Sequence, residues 1–408
     1  MSRVCMVVFS EYPKDPRVRR EAEALVEAGI PVDVICLRGK GVPQEVVDGV
    51  RVFRLPLQQT RAGKARYAWE YCAFIVMALI KVGLLHLKER YRLVHVHNMP
   101  NILILTALLP RLSGAKVLLD LHDPMPEVYM AKYSGRDGSK ALRLLRLEER
   151  LSIRWADFVL TPNIAFRELF ISRGCPESKI DIVMNSPQEK VFVQARESTP
   201  VAQESAERFV VMCHGSISER NGLGTALEAL SLVRSEIPNL VFEVFGGGDF
   251  VEGFLKRVED LGLQDIVNYH GGVRLEEIAR AITRINVGIV PNGSSKFSSL
   301  NMPTRIFEYL CMERPVITAR TRGVLDYFDD ASLHMFEPGD SESLARAILD
   351  VFRNRERSRM VLARGIAVYR SHRWELEKAR LVRIVKNVMG DDGARTEREK
   401  LKVGVAAK

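Results

Sequence analysis

Paired cysteines are missing from this 408-residue sequence. The six present (Cys5, Cys36, Cys72, Cys175, Cys213 and Cys311) are scattered and form no Cys-x-x-Cys. A zinc site on that spacing is therefore not expected, and reduced thiols in a cytoplasmic protein are. The opening run Met1–Ser10 carries no small-residue cleavage site, so a secretory leader is not expected either. Apolar runs are short. Residues 71–80 are continuously apolar, but ten residues are too few to cross a bilayer, and Lys81, His86 and Lys88 interrupt the extension. That stretch reads as a buried helix or as an apolar stripe that touches lipid.

What is present is a soluble balance of 47% hydrophobic and 27% charged residues, long enough for two cores. The formal net charge of +9 is uneven. Residues 1–200 hold 30 Lys and Arg against 22 Asp and Glu, whereas residues 201–408 hold 30 against 29. The first half is expected either to meet an anionic partner or to use its charge for solubility alone. Arg143, Arg146, Arg150 and Arg154 recur every three to four residues and form one helical stripe, beside Lys132, Arg136 and Lys140. Aromatics do not interleave with this stripe, so an anionic membrane surface is expected and nucleic acid is not.

Along the chain, runs of four to seven apolar and β-branched residues alternate with amphipathic stretches, as strands covered on both faces require. The predicted fold is α/β: two doubly wound, Rossmann-like parallel-sheet domains facing a cleft. Residues 1–188 form the first, 189–207 a polar linker, and 208–372 the second, with a helix at about 373–389 packing back on the first. In such folds ligands sit at the carboxyl ends of the strands.

Residues 301–317 carry the sharpest chemistry. Pro303 suits a first helical turn, leaving N–H groups near Thr304 and Arg305 free for an anion, and Glu308 lies one turn further on the same face. A carboxylate there can accept both hydroxyls of a ribose. The segment resembles the donor motif of family-4 retaining glycosyltransferases of GT-B architecture. The resemblance extends to Phe245-Gly-Gly-Gly-Asp with Gly247, to Asn286-Val-Gly-Ile-Val-Pro, and to Phe336-Glu-Pro-Gly-Asp. It implies transfer of a sugar from a nucleotide-diphosphate-sugar to a hydroxyl acceptor, lipid-linked or glycan, with retention and without a metal or cofactor. No Asp-x-Asp occurs, against the metal-dependent single-domain type.

Departures from the family pattern are specific. Leu300 stands where a first glutamate contacts the sugar, so Asn301 or Ser299 takes that contact. In the loop His214–Gly222, Gly215 lets backbone approach the phosphates, and Ser216 and Asn221 replace the family's arginine and lysine. Arg220, one residue displaced, is assigned to the diphosphate leaving group. On the acceptor side, Arg17 stands where the first predicted helix begins, and His97, Asn98, His122 and Asp123 lie at the carboxyl ends of predicted strands; His122 is placed near the reacting sugar by the resemblance. Two rival readings remain on the same fold: a nucleotide-sugar epimerase or phosphorylase, and a non-catalytic binding module.

Overall fold

A computed structural model of the chain describes residues 2–39, 41–58, 64–133, 139–198 and 208–390. The chain forms two compact units, Met1–Met184 with Glu375–Lys408, and Asn185–Trp374. In the first, strands β1 (Val4–Glu11), β2 (Val32–Leu37), β3 (Gln44–Val47), β4 (Val50–Leu55), β5 (Leu93–His97), β6 (Lys116–Asp120), β7 (Phe158–Thr161) and β8 (Ile180–Ile182) form one sheet in the order β3-β4-β2-β1-β5-β6-β7-β8. All neighbours pair in parallel except β3 with β4. That exception was not predicted. Asp48 and Gly49 both take positive φ (50° and 79°), the geometry of a two-residue hairpin turn, and Val47 pairs with Val50 across it.

The second unit has a wholly parallel sheet of β9 (Phe209–His214), β10 (Leu240–Phe245), β11 (Val267–Tyr269), β12 (Val287–Val290), β13 (Val316–Ala319) and β14 (His334–Phe336), ordered β11-β10-β9-β12-β13-β14. Its core packs Val211, Phe242, Val244, Ile289 and Ile317 of the sheet against Leu227, Leu230, Phe254 and Ile348 of the helices. Strands buried on both faces need no polar alternation, which is why their sequences read as unbroken apolar runs.

One expectation needs correction. Of the polar stretch read as a linker, Glu189–Ser198 is a helix that buries Phe192 and Ala195 within the second unit. Its apolar residues at 192 and 195 share one face, a spacing outweighed in the sequence by the polar residues around them. The rest of that stretch, 199–207, lies outside the described residues, as do Arg136 and the charged tail beyond Gly390. The run at 71–80 belongs to a 26-residue helix, Lys64–Glu89, and only one of its faces is buried. Finally, the helix Trp374–Met389 closes the first unit. Its Glu377 accepts the Met184 N–H at 2.9 Å, and Arg380 donates to the Ile182 carbonyl at 3.2 Å.

Candidate functional site

In each doubly wound sheet the winding switches sides between two neighbouring parallel strands, and in folds of this type the strand ends there leave a crevice. In the second unit this point lies between β9 and β12. The loops that follow β9, β10 and β12 interlock through backbone. A Cβ on Gly246 (φ 137°) would lie 1.8 Å from the Gly215 carbonyl oxygen, and one on Gly222 (φ 72°) 1.7 Å from that of Pro291. Side chains are excluded at both places, whereas the Cβ direction of Gly247 is open. The Gly215 N–H donates to the Phe245 carbonyl and the Ile217 N–H to that of Gly247, both at 2.9 Å.

The side chains proposed for the donor surround these loops. Glu308 lies in the helix Thr304–Cys311, whose first turn has no side-chain cap, and its Oε2 is 2.6 Å from His214 Nε2. His214 Nδ1 in turn meets the Tyr309 hydroxyl at 2.9 Å. The buried tyrosine thus fixes the histidine, and the histidine fixes the carboxylate. His214 was not singled out from sequence; a polar residue ending an apolar strand just before a glycine was the available signal. Asn221 donates to the Ser216 carbonyl at 2.5 Å and braces the loop, while the Ser216 side chain is exposed. Arg220 lies over the Phe297 ring, 5.3 Å from its centroid, a cation–π contact that orients the guanidinium. Asn301 caps the C-terminus of the short helix Lys296–Leu300, and Thr304 opens the Glu308 helix. Arg305 faces inward. It donates to the His214 carbonyl at 2.6 Å and to Asn292 at 3.2 Å, so its charge steadies the β9 turn rather than standing free for phosphate.

In the first unit the reversal lies between β1 and β5. A cavity of about 210 Å³ opens there, lined by Val8, Phe9 and Ser10 of β1 and Asp15 after it, Asn98 and Met99 after β5, His122 and Asp123 after β6, and Tyr71. Asn98 organises its wall. It accepts the His122 N–H at 2.8 Å and donates to the Asp123 carbonyl at 2.8 Å and to Asn101 at 3.0 Å. Asp15 caps the helix Pro16–Glu27 by accepting from the Arg17 and Val18 N–H groups.

Arg17 and His97, two of the expected acceptor residues, are not on the cavity wall. Arg17 is 5% exposed and grips Asp120 through Nε and Nη2, both at 2.8 Å, while Nη1 donates to the Val183 carbonyl at 2.7 Å. It is consumed by a buried pair because the first helix turn lies over the end of β6. His97 is fully buried, 3.1 Å from His122 Nε2 and 3.3 Å from Asp120. Asp120 was overlooked as a site residue, although a carboxylate ending an apolar strand was visible. Burial alone would raise its pKa, but Arg17, then His122, hold it well below the usual range. His122 is lowered by burial, and the Asp120 carboxylate, 3.1 Å from Nε2, more than reverses this.

Behind Asp120, Glu21 and His95 are buried, and their side-chain nitrogens and oxygens form no hydrogen bond among the described residues. One ligand atom from each of Glu21, His95, His97 and Asp120 falls within 4.8 Å of the others, a spacing a cation could use. The Arg17 guanidinium already supplies positive charge there, 3.2 Å from Glu21 and bidentate on Asp120. Burial, reinforced by Asp120 and opposed by Arg17, pushes the Glu21 carboxyl up to about 8.

Residues 15–186 match the family model described as "Glycosyl transferase 4-like domain", and residues 208–354 that described as "Glycosyl transferases group 1". The amylovoran biosynthesis glycosyltransferase AmsK of Erwinia amylovora is 22% identical over 196 residues, 47% of each chain. The GDP-mannose-dependent alpha-(1-6)-phosphatidylinositol monomannoside mannosyltransferase of Mycobacterium tuberculosis is 25% identical over 193 residues, 46% of this chain and 49% of its own. The matched region thus spans about half the length of these curated relatives. The fold resembles that of sucrose-phosphate synthase from Thermosynechococcus elongatus, with a TM-score of 0.78 at 18% identity over 96% of this chain and 100% of that one.

Proposed function

As the chain belongs to the glycosyltransferases, its first half to the 4-like domain family and its second to group 1, we propose that it moves a sugar from a nucleotide-diphosphate-sugar to a hydroxyl of a glycan or lipid-borne acceptor, with retention. The observation that carries this reading is the glycine-locked crevice after β9, β10 and β12, with Glu308 held by His214 beside a helix N-terminus. Backbone that no side chain can screen suits a diphosphate, and an oriented carboxylate suits ribose hydroxyls. The name of the mannosyltransferase relative, which uses GDP-mannose and a phosphatidylinositol mannoside, supports both the donor class and a lipid acceptor.

In this reading, Arg220 and the uncapped first turn of the Thr304–Cys311 helix offset charge on the departing nucleotide diphosphate. The donor's own phosphate takes the acceptor proton, so no strong protein base is needed and no metal or cofactor is assigned. His122, whose pKa the Asp120 carboxylate raises, holds the acceptor in the 210 Å³ cavity with Asn98 and Asp123. Asn301 replaces the missing first glutamate as a hydrogen-bonding partner of the sugar.

The test is thermal-shift and hydrolysis screening with UDP-, GDP- and dTDP-sugars. Stabilisation of the wild type by one nucleotide class is expected, reduced in Glu308→Ala and with slower turnover in Arg220→Ala. No stabilisation by any of them would refute the proposal. The anomeric configuration of the product, read by NMR, tests retention separately.

A further inference from the structure

The first unit exposes an apolar face that none of its other described residues covers. On the helix Lys64–Glu89 the residues turned outward are Trp69, Cys72, Val76, Ile80, Leu84 and Leu87, spaced at three to four throughout. The opposite face buries Phe74, Ala78 and Val82. Both faces are therefore apolar, which a surface helix in water does not need. The stretch Trp69–Glu89 is long and apolar enough to cross a membrane, with mean hydropathy 1.7. Its inner face, however, packs against β1 and β4, so it lies on the sheet as a covering layer.

Two neighbours extend this face. The segment Asn101–Leu112 packs beside the long helix, with His86 Nε2 2.5 Å from the Ser113 hydroxyl, and turns Ile102, Leu105, Leu108, Leu109 and Leu112 outward. Helix Lys140–Trp155 lies against that segment, where Glu148 accepts the Ile102 N–H at 2.7 Å and Ser152 donates to the Asn101 carbonyl at 3.2 Å. It presents Leu144, Leu147 and Leu151, at spacings of three and four. By contrast, the second unit exposes only Leu232, Leu255, Leu325 and Met360 among its described large apolar side chains. A contiguous patch of this extent on one face marks an interaction surface.

Charge identifies the occupant. Lys88, Lys140, Arg143, Arg150 and Arg154 are exposed on the same elements, and among their described residues no exposed side chain is acidic. The carboxylates that do occur are turned in, Glu149 onto Arg173 and Glu89 onto Arg51. Leucines and a tryptophan flanked by cations of one sign fit an anionic lipid surface, with apolar groups at acyl-chain depth and cations at the phosphates.

We propose that this three-element face docks the protein on an anionic bilayer and presents its acceptor cavity there. The second clause rests on the reading of that cavity as the acceptor site. Tyr71 lines the cavity from within the helix that carries Trp69 and Cys72, and Met99 lines it two residues before the segment Asn101–Leu112. A hydroxyl borne on a lipid headgroup thus reaches His122 past the edge of the docked face.

Full-length protein is to be co-sedimented with phosphatidylcholine vesicles, with and without phosphatidylglycerol. Binding is expected only with phosphatidylglycerol, weakened at about 1 M salt, where charge is screened within a few ångströms. Substituting Arg143, Arg150 and Arg154 together by Gln should weaken partitioning on the order of a hundredfold. Ile80→Glu with Leu84→Glu should abolish it while leaving the melting temperature unchanged, because both side chains are solvent-facing. The tryptophan emission should shift to the blue on vesicles, and this shift should vanish in Trp69→Phe. Failure of the wild type to bind, or unchanged binding of the variants, would overturn the proposal. So would a salt-insensitive dimer that the Glu variants dissociate, since a second copy would then occupy the face. Nucleotide-induced stabilisation, measured in parallel without vesicles, keeps failure of the transferase reading separate from failure of docking.

Discussion

The two units solve the same architectural problem with opposite materials. Both place a crevice where a parallel sheet reverses its winding. In the second unit backbone walls the crevice, through glycines at 222 and 246 whose neighbours leave no room for a Cβ. In the first unit buried charge holds the wall, with Arg17, His97 and His122 converging on Asp120. Backbone N–H groups recognise what all nucleotide diphosphates share, so their wall tolerates little change. A wall of side chains can be rebuilt for a different acceptor by substitution. The units also differ outside, one carrying a broad apolar and basic face and the other four exposed large apolar side chains among its described residues.

If charge is what holds the first crevice, Arg17→Ala should have the largest effect. It strips a buried carboxylate of its partner and should cost about 3–5 kcal/mol, lowering the melting temperature of that unit by about 10 °C. Nucleotide-induced stabilisation of the second unit, read by calorimetry, should persist. Loss of both together would break the comparison.

If backbone is what holds the second crevice, Gly246→Ala should cost about 1–3 kcal/mol and remove nucleotide binding, since both the positive φ and the Gly215 carbonyl oppose a methyl group. Gly247→Ala, one residue along with an open Cβ direction, should melt like the wild type. Equal effects at 246 and 247 would show that the turn matters only as a flexible loop. Next in size is Glu308→Ala, which should weaken nucleotide binding ten- to a hundredfold in titration calorimetry, in line with charge-assisted hydrogen bonds worth about 1.5–3 kcal/mol.

The doubly wound parallel sheets were legible because strands covered on both faces must be apolar throughout, and the glycine turns because no other residue fits them; the antiparallel edge strand β3, half exposed, was not. The linker was misread: polar residues on the outer face of Glu189–Ser198 masked the two positions, Phe192 and Ala195, that pin it. Arg17 and His97 were misplaced for another reason. A sequence shows that a charged residue stands near a strand end, but which partner receives it is settled by residues far away, here by Asp120 at a separation of 103. For the same reason the outward face of Lys64–Glu89 was only half legible. Periodicity reveals a stripe, yet when both faces are apolar it does not say which one the sheet takes.

The smallest effect is also the sharpest on mechanism within the first unit. Glu21 faces Arg17, His95 and Asp120, and its carboxyl is pushed up to about 8 by burial first and by Asp120 second. Unfolding returns it to an ordinary carboxylate near 4.5. Between those values the folded chain holds a proton that the unfolded chain has released, so stability falls as pH rises. His122, raised by Asp120, acts in the same sense as pH climbs through its folded value. Glu21→Gln keeps the shape and removes the first of these titrations. The variant should match the wild type near pH 5 and exceed it by on the order of 1 kcal/mol near pH 6, with a flatter stability profile in urea melts. A variant less stable than wild type at pH 6 would mean that Glu21 is ionised there and belongs to the Arg17 pair, making the first crevice a network of two anions rather than one.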